Sequence, residues 1–322
     1  MKYRFKISGL GYYLPPTIET AKNLSKKINK SPEWIISNAG VSERRISNID
    51  VDEMGAIAAK NAIGDKNEPD LIINASGVPK QTIPDTSVFI QRELGYEGIP
   101  SFSIHSTCLS FISALNVAGS LIESKAYHNI LIVSSDRGTV GRNFNDPESA
   151  SLLGDAAAAV YLEPSNEKKQ GLIDFEMSSW PKAANFTQVR GGGTNLHPQD
   201  SSTKDEDNLF SMNGSKVYKF SLPKVHKMIL DILDRNNLTQ NDINLLIPHQ
   251  ASGRGVTAYS KYGGFEEKKV INIIDKTGNC VSASMPLALV MAYEKKLINR
   301  NDLILIVGTG AGLSIASCLI RF

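Results

Sequence analysis

Three polar side chains in this sequence have the chemistry of an acyl-transfer centre: Cys108, His249 and Asn279. A cysteine can hold an acyl group as a thioester. A neutral imidazole and an amide NH₂ can both donate to one carbonyl oxygen, and so stabilise an enolate formed next to that thioester. The three residue types therefore predict acyl transfer through Cys108, supported by His249 and Asn279.

Cys108 lies between a short apolar run and a stretch in which Leu109, Ile112 and Leu115 recur at helical spacing. The thiol is thus predicted at a helix N-terminus, where unpaired N–H groups and the helix dipole are expected to lower its pKa and favour the thiolate. A small buried core residue is the structural alternative for any cysteine, and packing is the role we expect for Cys280.

His249 and Asn279 also have structural alternatives. His249 follows the apolar run that ends at Pro248, where a histidine could simply be hydrogen-bonded at a strand end. Asn279 lies in a small-residue turn and could cap a helix. The glycine-rich run 307–314 is a tight turn after a buried strand, or a turn that directs a backbone N–H into an oxyanion hole.

The elements that must position these residues alternate between strands and helices. Short apolar runs, separated by helical stretches, predict a sheet covered on both faces and hence an α/β fold. In the first half of the chain these runs are 5–10, 71–77, 101–104, 130–136 and 156–163.

The pattern then starts again. The run 243–250 corresponds to 71–77, and the turn, helix and strand within 278–310 correspond to those within 106–136. We predict two duplicated halves, residues 1–165 with the cysteine and residues 166–322 with the histidine and asparagine.

Residues 178–215 interrupt the pattern with three consecutive glycines and a polar, acidic stretch, which predicts a functional lid or a solvated excursion. Because no strand ends at these glycines and no Lys-Ser/Thr follows them, they are not a phosphate-binding motif.

The composition excludes several classes of protein. The chain has 322 residues, of which 41% are hydrophobic and 21% charged, so neither disorder nor a fibrous repeat is indicated. A net charge of +2 without a basic, aromatic-interleaved stripe argues against nucleic-acid binding. No apolar run approaches a membrane span, the N-terminus lacks an export-signal pattern, and three cysteines are too few for a disulfide framework, so we expect a cytoplasmic protein with no membrane partner.

Longer motifs resemble the β-ketoacyl-acyl carrier protein synthase III family over nearly the whole chain. They are ISGLGYYLPP, EWIISNAGVSERRI (33–46), the STC turn, LLGDAAAAVYLE (152–163), PHQAS, GNCVSASMP and GAGLSIASCLIRF. The resemblance implies a thiolase-like five-layer α-β-α-β-α fold made of two pseudo-duplicated halves, and a homodimer.

The resemblance also implies a two-step reaction. Cys108 would take an acyl group from acyl-CoA or acyl-carrier protein, with the backbone N–H groups of Cys108 and Ala311 as the oxyanion hole. His249 and Asn279 would then support decarboxylation of malonyl-acyl carrier protein, and the carbanion would attack the thioester. The family needs no metal and no organic cofactor.

Binding residues are implied in the same way. Carrier-protein contacts would come from Lys219, Arg254 and Lys261, for which an ordinary solvated charged face is the alternative. Substrate-binding residues would be Trp34, Ile83, Gly214, Ser215 and Ser252.

Several positions depart from the family pattern. Asn38 replaces an arginine near Trp34, Ser215 replaces an asparagine, Ile83 replaces a phenylalanine that reaches across the dimer, and Thr309 replaces a phenylalanine before the last strand. These departures predict a primer other than acetyl-CoA, such as a longer, branched or carrier-bound acyl group.

Other functions use similar residues. Relatives with this fold pass an acyl group to a hydroxyl or condense two acyl chains without decarboxylation. Papain-like thiol hydrolases have Cys, His and Asn in the same order, but their local cysteine signature does not surround Cys108. A non-catalytic acyl-binding or scaffold protein would need none of the three residues.

Overall fold

The computed structural model describes residues 1–322 and has thirteen strands and ten α-helices. The strands are β1 (Tyr3–Tyr13), β2 (Thr17–Thr20), β3 (Glu43–Ile46), β4 (Leu71–Asn74), β5 (Ser101–Ser103), β6 (Ile130–Arg137), β7 (Asp155–Pro164), β8 (Gly171–Ser179), β9 (Thr187–Gln188), β10 (Ser211–Met212), β11 (Leu245–Pro248), β12 (Leu303–Gly310) and β13 (Ser314–Arg321). The helices are α1 (Ala21–Ile28), α2 (Pro32–Ala39), α3 (Val51–Ile63), α4 (Thr86–Leu94), α5 (Ser110–Glu123), α6 (Pro147–Ala150), α7 (Gly214–Asp234), α8 (Gly253–Gly263), α9 (Ile274–Thr277) and α10 (Ser284–Glu294). All five strands predicted in the first half are present, and so is the strand before His249.

Nine strands form one sheet in the order β11-β12-β13-β8-β1-β7-β6-β4-β5. The join between its two halves is narrow, because β1 pairs with β7 along most of its length and with β8 only at Tyr3 and Arg4. The α/β fold class predicted from alternating strands and helices is confirmed.

Two buried helices lie at the centre of the molecule, and they begin at the turns that carry Cys108 and Asn279. α5 follows the Cys108 turn and packs on β1, and α10 follows the Asn279 turn and packs on β7. Both contribute to the largest apolar cluster, for example Phe111 and Ile112 from α5 with Leu287 from α10. Since these helices are held on several faces, the turns at their N-termini are fixed in position.

The two turns share local geometry. In the first, the Ser106 N–H donates to Ser110 Oγ at 2.9 Å, and Thr107 adopts a left-handed φ of 52°. In the second, the Cys280 N–H donates to Ser284 Oγ at 3.0 Å, and the next residue, Val281, has a φ of 50°. Matching these bonds aligns Cys108 with Ser282, three residues after Asn279.

The segment 178–215 is partly ordered into secondary structure. Two 3₁₀ turns, Pro181–Phe186 and Asp205–Asn208, accompany the antiparallel pair β9 and β10, and the part between the pair is mostly exposed. None of the ten α-helices combines the length and apolarity that crossing a membrane requires.

Candidate active site

The Cys108 turn is packed against the end of β12. Cys108 directly precedes Leu109, the N-cap residue of α5. A Cβ added at Gly310 would lie 2.7 Å from Thr107 Oγ1 and 3.1 Å from Leu109 Cγ, so only glycine lets the two turns approach this closely. The glycine-rich run therefore brings the second half of the chain against the Cys108 turn.

The resting thiol differs from the predicted thiolate. Burial, with the nearby Asp136 carboxylate as a smaller cause, raises the pKa of Cys108 to about 12. The expectation that the α5 N-terminus would lower this pKa is wrong, because desolvation of the charged sulfur outweighs the helix end. The thiol is therefore protonated at neutral pH.

Two backbone donors oppose this shift. The N–H groups of Cys108 itself and of Ala311 both hydrogen-bond toward the sulfur and act to lower its pKa. Converging N–H groups beside a nucleophile are the arrangement that stabilises an oxyanion, which is the role predicted for these two residues.

His249 is buried at the end of β11, with 5% of its surface exposed. The backbone N–H of His249 donates to the Val307 carbonyl at 2.9 Å. A Cβ added at Gly308 would lie 2.8 Å from the His249 Cβ, so the two backbones are close together. Burial lowers the pKa of the imidazole to about 4, and Nδ1 has no hydrogen-bond partner in the protein. The ring is therefore neutral at physiological pH, and one of its two nitrogens carries an N–H that can donate to a carbonyl oxygen.

Asn279 is 8% exposed and its amide is oriented from both sides. Oδ1 accepts from the Val281 N–H at 2.9 Å, and Nδ2 donates to the Ala251 carbonyl at 3.3 Å, two residues after His249. One amide hydrogen remains free to donate to a substrate. The Ala251 contact places Asn279 beside the His249 turn.

Buried polar residues that the sequence did not single out hold these turns. Gln250 donates to the Pro248 and Ile271 carbonyls at 2.9 and 3.0 Å and accepts from the Ile273 N–H at 3.0 Å. Asp136 accepts from the Ser282 hydroxyl and from four backbone N–H groups, those of Gly77, Val78, Ser282 and Ala283. Gln250 lies within the PHQAS motif but was given no role there, and the only sequence signal of Asp136 is a polar residue at the end of a buried strand.

A surface depression of about 510 Å³, which we call the mouth, lies beside the His249 turn, whose Ser252 lines it. Three basic side chains, Lys219 on α7 and Arg254 and Lys261 on α8, line the mouth together with one acidic side chain, Glu148. The predicted binding residues Gly214, Ser215 and Ser252 line it as well. Asn38 also lies there, at the C-terminal end of α2.

Two predicted binding residues lie elsewhere. Trp34 packs against the cluster around Leu24 and Ile35 and does not line the mouth. Ile83 is 80% exposed in the loop before α4. Metal binding finds no support in the geometry, since no three His, Cys, Asp or Glu side chains are grouped closely enough to hold an ion.

Known proteins resemble this chain in sequence and in fold. A family model described as 3-oxoacyl-[acyl-carrier-protein (ACP)] synthase III matches residues 102–181, and the model of its C-terminal part matches residues 233–322. β-Ketoacyl-[acyl-carrier-protein] synthase III of Rickettsia bellii is 34% identical over 98% of this chain and 99% of its own. The protein of the same name from Aliarcobacter butzleri is 32% identical over 97% of this chain and 96% of its own.

Solved structures agree with the sequence matches. The crystal structure of 3-oxoacyl-[acyl-carrier-protein] synthase III from Aquifex aeolicus superposes with a TM-score of 0.89 at 29% identity, covering 99% of this chain and all of that one. The priming β-ketosynthase from the R1128 polyketide biosynthetic pathway superposes with a TM-score of 0.92 at 25% identity, covering 100% and 97% of the two chains. The thiolase-like architecture predicted from the motifs is thereby confirmed.

Proposed function

This chain belongs to the β-ketoacyl-[acyl-carrier-protein] synthase III family and is a condensing acyltransferase, and we propose that Cys108, His249 and Asn279 are its catalytic residues. The observation that carries the proposal is that the Cys108 turn and His249 both pack against one glycine-rich segment, 307–312, and that Asn279 is bonded to the His249 turn. Gly310 contacts the Cys108 turn, Gly308 contacts His249, and Asn279 is bonded to the His249 turn.

In the first half-reaction Cys108 attacks the carbonyl carbon of an acyl thioester. A carbon–sulfur bond forms to Cys108, the bond to the donor sulfur breaks, and the thiol proton passes to the leaving thiolate. The N–H groups of Cys108 and Ala311 stabilise the negative charge that develops on the carbonyl oxygen. Because the resting thiol has a pKa of about 12, deprotonation has to accompany the attack.

In the second half-reaction a malonyl thioester loses CO₂. The electron pair of the broken carbon–carbon bond becomes an enolate, and its oxygen accepts hydrogen bonds from the neutral His249 ring and the free Asn279 amide hydrogen. The enolate carbon then attacks the Cys108 thioester, the carbon–sulfur bond to Cys108 breaks, and the β-ketoacyl product forms. The Cys108 thiolate that leaves takes up a proton from water and becomes the resting thiol again. A matched pair of neutral donors favours this decarboxylative route over acyl transfer to a hydroxyl.

The substrates are thioesters of CoA or of a carrier protein's phosphopantetheine, and no further cofactor takes part. Lys219, Arg254 and Lys261 around the mouth support this, because their charges suit a phosphate group and an acidic carrier protein. The boundary between halves at 165/166, in the loop between β7 and β8, and the cytoplasmic location remain predictions.

A second copy of the chain is the other partner that we propose. β5 is a free edge of the sheet, and exposed apolar side chains of Ile83, Val88 and Phe102 lie on and beside it. An exposed apolar strand edge is a surface that pairing with another copy would cover.

Intact-protein mass spectrometry tests the nucleophile and the primer together. Wild type and Cys108→Ala are incubated with a panel of acyl-CoA and acyl-carrier-protein donors. We expect an acyl adduct on the wild type alone, with the mass of the preferred donor. The absence of an adduct from every donor would refute the priming role while leaving the fold unaffected.

A further inference from the structure

Arg44, on the short strand β3, is a charged residue with no exposed surface. The register of β2 and β3 places Glu19 directly opposite it, and Arg44 Nε lies 3.7 Å from Glu19 Oε2. Glu19 has closer cations, because Lys27 Nζ lies 2.7 Å from its Oε1 and Arg142 is hydrogen-bonded to its Oε2. Arg44 is therefore not needed to neutralise Glu19.

The burial of the Arg44 guanidinium costs free energy. Its Nε and Nη2 have no hydrogen-bond partner in the protein, and burial lowers the pKa of Arg44 to about 10. A buried cation with unpaired donors often contributes less to stability than an apolar side chain of similar size. Stability alone therefore does not account for an arginine at this position.

The remaining nitrogen of the guanidinium, Nη1, holds the end of α6. It donates to the Ser151 carbonyl at 2.7 Å and to the Ala150 carbonyl at 3.5 Å. The last carbonyls of a helix have no partner within the helix, and an arginine side chain can supply one. Arg44 thereby fixes the backbone where α6 ends and the segment 151–154 begins.

The segment 151–154 in turn holds the backbone of Asn279. The Asn279 N–H donates to the Leu152 carbonyl at 2.8 Å, and the Gly154 N–H donates to the Asn279 carbonyl at 3.0 Å. The backbone N–H and the carbonyl of Asn279 are thus both bonded to residues that follow the carbonyls bound by Arg44. A shift of this segment would move Asn279 with it.

Arg44 also packs directly on this junction. A Cβ added at Gly278 would lie 2.8 Å from the Leu152 carbonyl oxygen and 3.3 Å from the Arg44 Cβ. A Cβ added at Gly154 would lie 3.4 Å from the same Arg44 atom. Glycines on both sides therefore allow the segment, the Asn279 turn and Arg44 to approach one another closely.

The strand that carries Arg44 is also bonded to the chain just before Asn279. The backbone N–H and the hydroxyl of Ser42 both donate to the Asp275 carbonyl, each at 3.0 Å. Asp275 lies in α9, which ends at Thr277, two residues before Asn279. β3 is thus attached to both stretches of chain that meet at Asn279.

We propose that Arg44 is a positioning residue for the second half-reaction and holds the Asn279 amide where the enolate oxygen forms. This inference rests on the proposed function, in which Asn279 is one of the two donors to the enolate. Acylation of Cys108 uses the backbone N–H groups of Cys108 and Ala311 and does not involve Asn279. Arg44 therefore supports decarboxylation of the malonyl thioester and not acylation of Cys108.

Replacing Arg44 with methionine tests this selectivity. Arg44→Met removes the Nη1 donor and keeps an unbranched side chain in the core, while Glu19 retains Lys27 and Arg142 as partners. CO₂ release from malonyl-carrier protein should slow at least about tenfold, because a small displacement of a catalytic group is costly. Formation of the acyl adduct on Cys108, measured on the same preparation, should stay within about twofold of wild type.

Two further variants complete the measurement. Arg45→Met is the matched control, because Arg45 is the next residue of β3, lies on the other face of the strand and donates to the Pro15 carbonyl at 3.2 Å. It should leave both rates within about twofold of wild type. Arg44→Lys keeps a cation beside Glu19 but lacks the planar guanidinium, so it should slow CO₂ release selectively by at least about threefold. Wild-type CO₂ release in both Arg44 variants, or equal slowing of the two half-reactions, would overturn the proposal.

A double-mutant cycle shows whether Arg44 acts through Asn279. In Asn279→Ala protein the further change Arg44→Met should slow CO₂ release by less than about twofold, because the amide that Arg44 positions is absent. A further loss as large as the loss caused by Arg44→Met alone would show that Arg44 acts by another route.

The two proposals fail separately. Wild-type CO₂ release by Asn279→Ala would refute the catalytic role of Asn279 in the proposed function, whatever the result for Arg44. Slow CO₂ release by Asn279→Ala together with wild-type release by both Arg44 variants would refute the positioning role alone.

Discussion

Cys108, the proposed nucleophile, is kept protonated by the folded protein. Its sulfur receives hydrogen bonds from two backbone N–H groups, but burial and the Asp136 carboxylate raise its pKa to about 12. Such a thiol is protected from adventitious reaction and becomes reactive when a bound thioester allows its proton to leave. The Cys108 thiol is therefore unreactive at rest, and its reactivity in catalysis depends on the bound thioester.

The rate of alkylation by iodoacetamide tests whether the resting Cys108 thiol is protonated. Since only the thiolate reacts, the rate at Cys108 should rise about tenfold per pH unit between about pH 6 and pH 9, with no plateau. Intact mass spectrometry over time gives the rate, and Cys108→Ala subtracts any reaction at the buried Cys280 and Cys318. A plateau near neutral pH would show instead that the helix end dominates and that the thiol is ionised.

Replacing His249 should separate the two half-reactions. His249→Ala removes one of the two donors to the enolate, so decarboxylation of malonyl-carrier protein should slow about 100- to 1000-fold. Acylation of Cys108 should persist, because the oxyanion donors are backbone groups of Cys108 and Ala311. CO₂ release and adduct formation are measured on the same preparation, and equal loss of both would contradict the assigned roles.

Between elements, the turn before α10 carries a hydrogen-bonded serine, Ser282, at the position that corresponds to Cys108 in the turn before α5. Ser282 aligns with Cys108, and its hydroxyl and N–H both donate to Asp136 at the end of β6. Burial raises the pKa of Asp136 to about 6, which still leaves a carboxylate at neutral pH. This carboxylate joins the 77–78 loop, β6 and the turn that carries Asn279.

Asp136→Asn should weaken that junction. One carboxylate oxygen accepts from Ser282 and Ala283, and an NH₂ group in its place would face their N–H groups and leave them unpaired. We expect a loss of about 3 kcal/mol in the free energy of unfolding, measured by urea denaturation at pH 7. The exposed Asp65→Asn is the matched control, and a loss below about 0.5 kcal/mol for Asp136→Asn, as for surface changes, would contradict the structural role.

The sequence allowed the elements and the reacting groups to be predicted for physical reasons. Apolar runs such as 71–77 and 130–136 are short and nearly continuous, as strands covered on both faces are, and Cys108, His249 and Asn279 lie in turns next to such runs or helices. Asp136 and Gln250 could not be predicted, because their partners are more than twenty residues away or are backbone groups with no sequence signal. The predicted direction of the Cys108 pKa shift was wrong for a related reason, because burial is a property of the folded chain.

At the scale of the whole molecule, charge is distributed unevenly although the net charge is only +2. Three basic side chains from two helices line the mouth, against a single acidic one, Glu148. An acidic carrier protein would thus meet a locally positive surface.

Charge reversal at the mouth should affect carrier binding more than chemistry. For Arg254→Glu we expect KM for malonyl-carrier protein to rise at least about tenfold with kcat within about twofold, because the side chain lines the mouth and not the reaction centre. Steady-state kinetics at low salt give both constants. Lys227→Glu, on an exposed face of α7, is the control, and an equal effect there would indicate a loss of net charge and not of a contact.

The free edge of the sheet at β5 predicts that two copies of the chain form a dimer through this strand. Phe102 is 39% exposed at the centre of this three-residue strand, and Val88 and Ile83 are 40% and 80% exposed nearby. A charge on an apolar strand edge opposes pairing with another copy, so Phe102→Asp should change a dimer into a monomer. Light scattering after size exclusion measures the mass, and Leu230→Asp, an exposed apolar position on α7, should remain dimeric. If Phe102→Asp kept the mass of two chains, or the wild type had the mass of one, β5 would not be the interface.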